Sequence, residues 1–349
     1  MELLHSPPPS SAGRPASGRS LLVRVAVWAF LALVVAITIT ALIADVDRVG
    51  ALLFSISPGW LAAIVGAVCV NYALRFLKWA WFLRRLGLTV TWRDSLWIFF
   101  SAFTMVLSPG KLGELLKSFL LRQRYGFPVA RTAPIVLAER LTDLLGLVVL
   151  GLLGSSRLAL GAGGLVVVGG LLGLGVVLIT RPEFWRWLDR SVVGRFDRLA
   201  RFRPSLRALE ASSQHLLSLP ALVLMVPLSA LSWAGEGVAL YCIFRALRVD
   251  TPELLGLSVF AHAVSSVAGA LSFLPGGLGV AEGTLGGVFI YAGIGREAAI
   301  SATLLIRAVT LWFAVFLGTA VYLLGRRADE SLEGMVTQTR PEPEPRPAT

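Results

Sequence analysis

Ser108-Pro109-Gly110-Lys111-Leu112-Gly113-Glu114 and Leu274-Pro275-Gly276-Gly277-Leu278-Gly279-Val280-Ala281-Glu282 break two long apolar stretches with Pro-Gly turns and charge. In a lipid environment neither irregular backbone nor charge is tolerated unless it lines a protected interior. The question these segments raise is therefore what surrounds them.

The surroundings are apolar throughout. Residues of the apolar types make up 56% of the chain, and the mean hydropathy is +0.75. Several uncharged stretches reach the roughly 20 residues a helix needs to cross a bilayer core. They run from about Leu21 to Ile43, Trp60 to Leu77, Ser95 to Leu107, Thr132 to Leu153, Leu158 to Thr180, Pro220 to Phe244, Leu254 to Leu274 and Ala298 to Leu324, with a shorter run from Thr284 to Ile294. Strands fit nowhere in this pattern. The expected fold is an all-α polytopic membrane protein with about six full spans and two broken or re-entrant hairpins.

Met1–Ser20, rich in Pro, Ser, Gly and Arg, reads as a disordered cytoplasmic tail. The run after it is too long for a signal core of roughly 7–15 residues and reads as a retained first span. A transmembrane domain over 21–327 is expected, with a second disordered tail over 328–349. Cys69 and Cys242 lie in apolar runs and read as small hydrophobes, not as a redox pair or a metal site.

The net charge of +11 resolves into clusters at Arg14/Arg19/Arg24, Arg75/Lys78/Arg84/Arg85/Arg93, Lys111/Lys117/Arg122/Arg124/Arg131, 181–219 and the C-terminal end. The positive-inside rule assigns these to the cytoplasm, and no nucleic-acid partner is needed to explain the charge. Both termini are then cytoplasmic. Ser95–Leu121 enters and leaves from the cytoplasm, and Leu254–Ile294 from outside. The hairpins point in opposite directions, and re-entrant or short fully spanning pairs fit equally well.

Pro-Gly-x-Leu-Gly recurs at Pro109 and Pro275, and an Arg follows 31 and 32 residues later, at Arg140 and Arg307. Halves over about 58–153 and 220–324 with opposite orientation form the inverted-repeat pattern of secondary transporters, whose sites lie at the repeat interface.

A Pro-Gly turn opening a half-helix leaves backbone N–H groups that attract a phosphate or carboxylate. Gly110, Gly113, Gly276, Gly277 and Gly279 are the candidate backbone anion sites, with Lys111 and Lys117 adding charge and Glu114, Asp143 and Glu282 among the candidate substrate contacts. The alternative is that Glu114 and Glu282 cap their own half-helices and Lys111 extends to the interface. Glu139, Arg140 and Asp143 lie within a turn of one another, Arg140 as a headgroup contact and the carboxylates as charge-tuning or proton-relaying groups. Arg307 matches Arg140 in the second half. Glu236, alone among small residues, is a proton-coupling carboxylate or an interhelical hydrogen-bond donor. Arg75, four residues after Asn71, is a ligand or an interfacial anchor. The loop from Arg181 to His215, with Trp185, Trp187 and Phe196 among arginines, reads as an amphipathic helix on anionic lipid or as a linker whose aromatics pack on span ends.

The ordered set Pro109-Gly110-x-Leu112-Gly113-Glu114, Glu139-Arg140-x-x-Asp143 and Leu274-Pro275-Gly276-Gly277-x-Gly279-x-x-Glu282 resembles the lysylphosphatidylglycerol synthase transmembrane region family, also called flippase-like integral membrane proteins, over about Leu21 to Arg327. The resemblance implies a cell-membrane protein that moves a phospholipid or lipid-linked substrate between leaflets. In the best-understood relatives that substrate is aminoacylated phosphatidylglycerol from a cytosolic synthase domain. Nothing in this chain resembles such a domain, so synthesis is not carried over.

The expected partners are membrane lipids with anionic or lipid-linked headgroups, or a separate lipid-modifying enzyme for which the chain would be a scaffold. An intramembrane enzyme would need a nucleophile or base, yet His5, His215 and His262 are the only histidines and no His-Asp or metal-ligand spacing accompanies them. No cofactor or metal is expected.

Overall fold

A computed structural model describes residues 51, 54–108, 113–154, 159–191, 193–195 and 203–338. The run expected as the first span, Leu21–Ile43, and the N-terminal tail lie outside the described residues, which are helical and carry no strand. The first half comprises α1 (Pro58–Arg85), α2 (Trp92–Ser101) continued by a 3-10 turn (Ala102–Met105), α3 (Leu116–Tyr125) and α4 (Val129–Gly154). Then come α5 (Ala159–Thr180), α6 (Pro182–Ser191) and α7 (Arg203–Leu216). The second half comprises α8 (Leu219–Ala246), α9 (Leu254–Leu271), a 3-10 turn (Pro275–Gly277), α10 (Val280–Tyr291), α11 (Arg296–Arg307), a π-helical turn (Ala308–Trp312) and α12 (Phe313–Gln338).

Each half opens on a helix of 28 residues preceded by an extended serine, Ser57 or Ser218, with a proline in the first turn where its missing N–H costs nothing. Five helical stretches are long and apolar enough to cross a membrane: α1, Gly163–Thr180 of α5, α8, α9, and Arg296–Gly325, which joins α11, the π turn and α12. At 26 residues α4 is as long, but it is interrupted by Glu139, Arg140 and Asp143. The arms α2 and α3 have 10 residues each, about 15 Å, half of a bilayer core, whereas α9 has 18. The backbone of α12 stays helical to Gln338, past the Arg327 boundary expected from the sequence. Ala328, Asp329 and Glu330 carry no helix breaker, so polarity alone does not end the helix there.

The four long helices α1, α4, α8 and α9 pack together, with α8 against α1, α4 and α9. Close approach is set by small residues. A Cβ on Gly235 of α8 would come within 2.9 Å of the Ala67 carbonyl of α1, and one on Gly146 of α4 within 2.7 Å of the Ala230 nitrogen of α8. Asn71 fastens the first crossing, its amide donating to the Ser232 carbonyl (2.9 Å) and hydroxyl (3.1 Å). Trp79, Phe82, Phe99, Ile243, Phe244 and Phe289 fill the core. Across the halves, α2 and its 3-10 turn pack on α12, while α9 packs on α4. Val166, Val167, Leu171 and Leu174 of α5 face outward, as lipid contact requires.

Candidate functional site

The second broken segment meets the end of the helical arm that leads to the first. Gly276 adopts φ 60, a left-handed conformation suited to glycine, and a Cβ there would lie 2.7 Å from the Leu107 side chain. The tip of the second hairpin thus rests against the residue that precedes the first Pro-Gly break.

Beside this junction lies a buried charge cluster built from α1, α3, α4 and the turn after the first break. Arg140 donates from one nitrogen to both oxygens of Glu114, at 2.6 and 2.5 Å. Arg75 stands 3.7 Å from the same carboxylate and Lys117 at 4.0 Å. The Lys117 ammonium bonds to Glu139 at 2.5 Å and lies over the Trp79 ring, 4.8 Å from its centroid. Lys78 bonds to Asp143, and also donates to Ser229 (2.8 Å) and to Thr142 and the Glu139 carbonyl (3.4 Å each). Arg140 and Asp143 face each other one turn apart at 3.8 Å. Among the described residues the cluster holds four cations and three carboxylates, an excess of one positive charge.

Its edge is formed by the arginines. The side chains of Arg140 and Arg75 keep 19% and 11% exposure, against 4% or less for Lys78, Lys117, Glu114, Glu139 and Asp143. The Nε of Arg140 has no hydrogen-bond partner, and neither has one Asp143 oxygen. An anion reaching this edge would meet the guanidinium of Arg140, whose Nε is the unsatisfied donor. A planar guanidinium that grips a carboxylate can grip a phosphate in the same way.

Arg307 repeats the arrangement at the second tip. Its Nε lies 2.6 Å from Glu282, and an Nη donates to the Gly276 carbonyl at 2.7 Å. Glu282 also accepts the Gly279 N–H at 2.7 Å, the geometry of the capping alternative. The other backbone anion candidates are engaged as well: the Gly113 N–H donates to the Ser108 hydroxyl (2.6 Å) and the Gly277 N–H to the Leu274 carbonyl (2.9 Å). Gly276 presents its carbonyl to Arg307. Among the described candidates, the N–H groups of Gly113, Gly277 and Gly279 are thus engaged by acceptors of their own turns. Gly110 and Lys111 lie outside the described residues.

Glu236 lies 3.4 Å from His262 of α9 and acts electrostatically on Arg75 of the cluster. Arg75 is half-buried, its guanidinium over the rings of Phe103 and Trp233 at 5.6 and 5.4 Å from their centroids. Of the loop aromatics, Trp185 is buried and its indole donates to the Ile179 carbonyl (2.7 Å), while Trp187 is exposed. Phe196 is outside the described residues.

Lys78 is the site residue that the sequence reading misses, having been grouped with the interfacial basic residues. The signal is there: Asn71, Arg75 and Lys78 fall at i, i+4 and i+7, one polar stripe on an apolar helix.

The family model for the lysylphosphatidylglycerol synthase TM region matches residues 27–318, most of the chain and both broken segments. The chain belongs to this family. Similar proteins include a UPF0104 membrane protein of Methanocaldococcus jannaschii, 25% identical over 231 residues that cover 64% of this chain and 95% of that one. A UPF0104 membrane protein of Methanothermobacter thermautotrophicus is 32% identical over 99 residues, 28% of this chain and 29% of the relative. Glycosyltransferase AglD of Haloferax volcanii is 27% identical over 310 residues, 74% of this chain and 48% of the relative. In the latter two the matched part is less than half of the relative's own length.

Proposed function

We propose that this family member translocates a phospholipid or lipid-linked substrate between the leaflets of the cell membrane, binding its phosphate at the Arg140 edge of the buried cluster. The observation that carries the reading is the Arg140–Glu114 clasp within a cluster of four cations and three carboxylates. Burying such charges is costly, and a substrate anion that offsets the excess charge gives a reason for them to be there. The phosphate displaces Glu114 from Arg140, and the displaced carboxylate stays within reach of Arg75 and Lys117. The acyl chains remain in lipid.

The halves are read as an inverted repeat with two re-entrant hairpins, the basic segments and both termini on the cytoplasmic side. Paired Glu–Arg clasps at the two Pro-Gly segments, the reciprocal packing of each hairpin on the other half, and the short arms α2 and α3 support it. Rocking of one half against the other then exposes the headgroup to each leaflet in turn.

The test is headgroup accessibility in proteoliposomes carrying fluorescent phosphatidylglycerol, quenched by dithionite from outside. Wild type is expected to expose the inner-leaflet probe, and Arg140→Gln to lose at least about tenfold in rate, the equivalent of one charge-assisted hydrogen bond. Wild-type rates in folded Arg140→Gln and Arg307→Gln proteins would sink the reading. A second reading, transfer chemistry on a lipid-linked sugar, has in its favour the name of the Haloferax relative. It would show as a new glycolipid in the same vesicles supplied with a polyprenyl phosphate and a sugar nucleotide.

A further inference from the structure

The anion cluster does not use the buried pair of Glu236 on α8 and His262 on α9. The imidazole Nε2 lies 3.4 Å from a Glu236 oxygen and 3.5 Å from the Ser266 hydroxyl, and both side chains are 7% exposed. Two titratable groups at contact distance inside an apolar bundle are costly to keep and, within a membrane, mark a functional path by default. Carboxylate and imidazole together can hold no proton, one or two, and each proton changes the local charge by one.

The pair borders the anion cluster across Trp233. The Trp233 ring stacks on His262 with centroids 6.0 Å apart, and the Arg75 guanidinium lies over the same indole, 5.4 Å from its centroid. Arg75 in turn faces Glu114 at 3.7 Å. The groups that face the pair electrostatically from α1 are Tyr72 and Arg75, and beyond Arg75 stand Glu114, Glu139 and Asp143. From α10 and α11, Glu282 and Arg307 are engaged with each other.

We infer that Glu236 and His262 form a proton-binding site coupled to the anion site, so that the substrate anion is taken up together with a proton. The inference rests on the translocation reading for the identity of the anion but not for the existence of the proton site. A proton arriving at the pair removes negative charge from beside Arg75, leaving that guanidinium and its neighbours freer to attract an anion. By reciprocity, a bound anion draws a proton onto the pair. No bond is made or broken apart from the proton's own, which passes between water, Glu236 and His262. A proton gradient across the membrane would then bias the direction of lipid movement.

Two measurements decide it. The first needs no lipid substrate: pH-difference infrared spectra of the purified full chain between about pH 5 and 8, where a coupled imidazole and carboxyl exchange protons. A protonated-carboxyl band that Glu236→Gln removes and His262→Gln shifts in midpoint is expected. A band untouched by both substitutions, or none, overturns the site. His262→Gln keeps the measurement meaningful if Glu236→Gln fails to fold.

The second is the pH profile of fluorescent phosphatidylglycerol movement in phosphatidylcholine vesicles below substrate saturation. With one linked proton the rate falls by up to about tenfold per pH unit as pH rises. Glu236→Gln flattens the profile. A flat wild-type profile overturns the coupling. Vesicles that move no lipid although the Glu236 band is present support the proton site and count against the translocation reading instead.

Discussion

Glu114 reaches Arg140 inside a cluster that also holds Arg75, Lys78, Lys117, Glu139 and Asp143, whereas Glu282 reaches Arg307 beside a single backbone carbonyl and its own capping N–H. Both clasps join a carboxylate placed after a Pro-Gly break to an arginine on the next long helix. What differs is redundancy. In the first half, losing Arg140 leaves Glu114 with Arg75 and Lys117 at 3.7 and 4.0 Å. In the second half Arg307 alone ties Glu282 to the Gly276 tip. The same pair is therefore exchangeable among neighbouring cations in one half and a structural tie in the other.

The largest effect is expected deep in the first cluster, at its least exposed ion pair. Lys78 holds Asp143 through α1, while Arg140 stands 3.8 Å from that carboxylate and Arg75 acts on it electrostatically. Removing one member of a buried pair leaves an uncompensated charge at a cost of about 3–5 kcal/mol. Lys78→Met is expected to lower folded yield and thermal stability in detergent by that much. Lys78→Met combined with Asp143→Leu is expected to recover most of it, because the double change removes both charges. Equal losses in the single and double variants would mean that Lys78 acts through its bonds to Ser229 and Thr142 and not through Asp143.

Much of this arrangement is legible in the sequence, for identifiable reasons. A Pro-Gly break inside an apolar run is visible locally, and so are Glu139, Arg140 and Asp143, because charge in a long apolar helix has few innocent explanations. Pairing is not local. Nothing in periodicity tells that Glu114 turns to Arg140 while Glu282 also caps its own helix, since that depends on how each turn closes. Lys78 is hidden because lysines near a helix end commonly extend to the interface, and only the helices that pack on it, α4 and α8, reveal otherwise. The π turn after Arg307 is equally unreadable. It exists in a stretch with helical composition, and the Tyr72 hydroxyl of α1 satisfies its Thr310 carbonyl at 2.8 Å.

The comparison of the clasps is sharpened by matched substitutions. Arg307→Gln loses a charge-assisted hydrogen bond and an ion pair together, at about 1.5–3 kcal/mol, while Arg140→Gln costs about 1 kcal/mol or less because neighbours take over Glu114. The difference should appear as faster amide exchange at Gly276–Gly279 in the first variant, with exchange around Glu114 little changed in the second. The reverse order of effects would mean that Arg140 holds the first turn together and is not free to exchange partners.

The smallest effect belongs to a contact at the mouth of the first hairpin, before its apolar arm begins at Ser95. The Asp94 carboxylate accepts from the hydroxyl of Thr91, the N-cap of α2, and from the Tyr125 hydroxyl at 2.6 Å, and it pairs with Arg124, whose guanidinium stacks on Trp97 at 4.1 Å. It thereby joins the two arms α2 and α3. Burial works to raise this carboxyl, but the hydrogen bonds from Tyr125 and Thr91 and the Arg124 charge outweigh it and hold the group below its ordinary value. Folding thus favours the ionised form. The contribution is complete above the ordinary carboxylate value of about 3.9 and is lost as pH falls through the lower folded value. At neutral pH, Asp94→Asn is expected to lower the unfolding temperature by an amount equivalent to about 1 kcal/mol or less. That gap should close as the pH of the scan drops below about 4, where wild type begins to lose the same charge. A gap that persists unchanged in acid would mean that Asp94 joins the arms by shape and neutral hydrogen bonding, leaving the first hairpin, like the second, closed by one arginine.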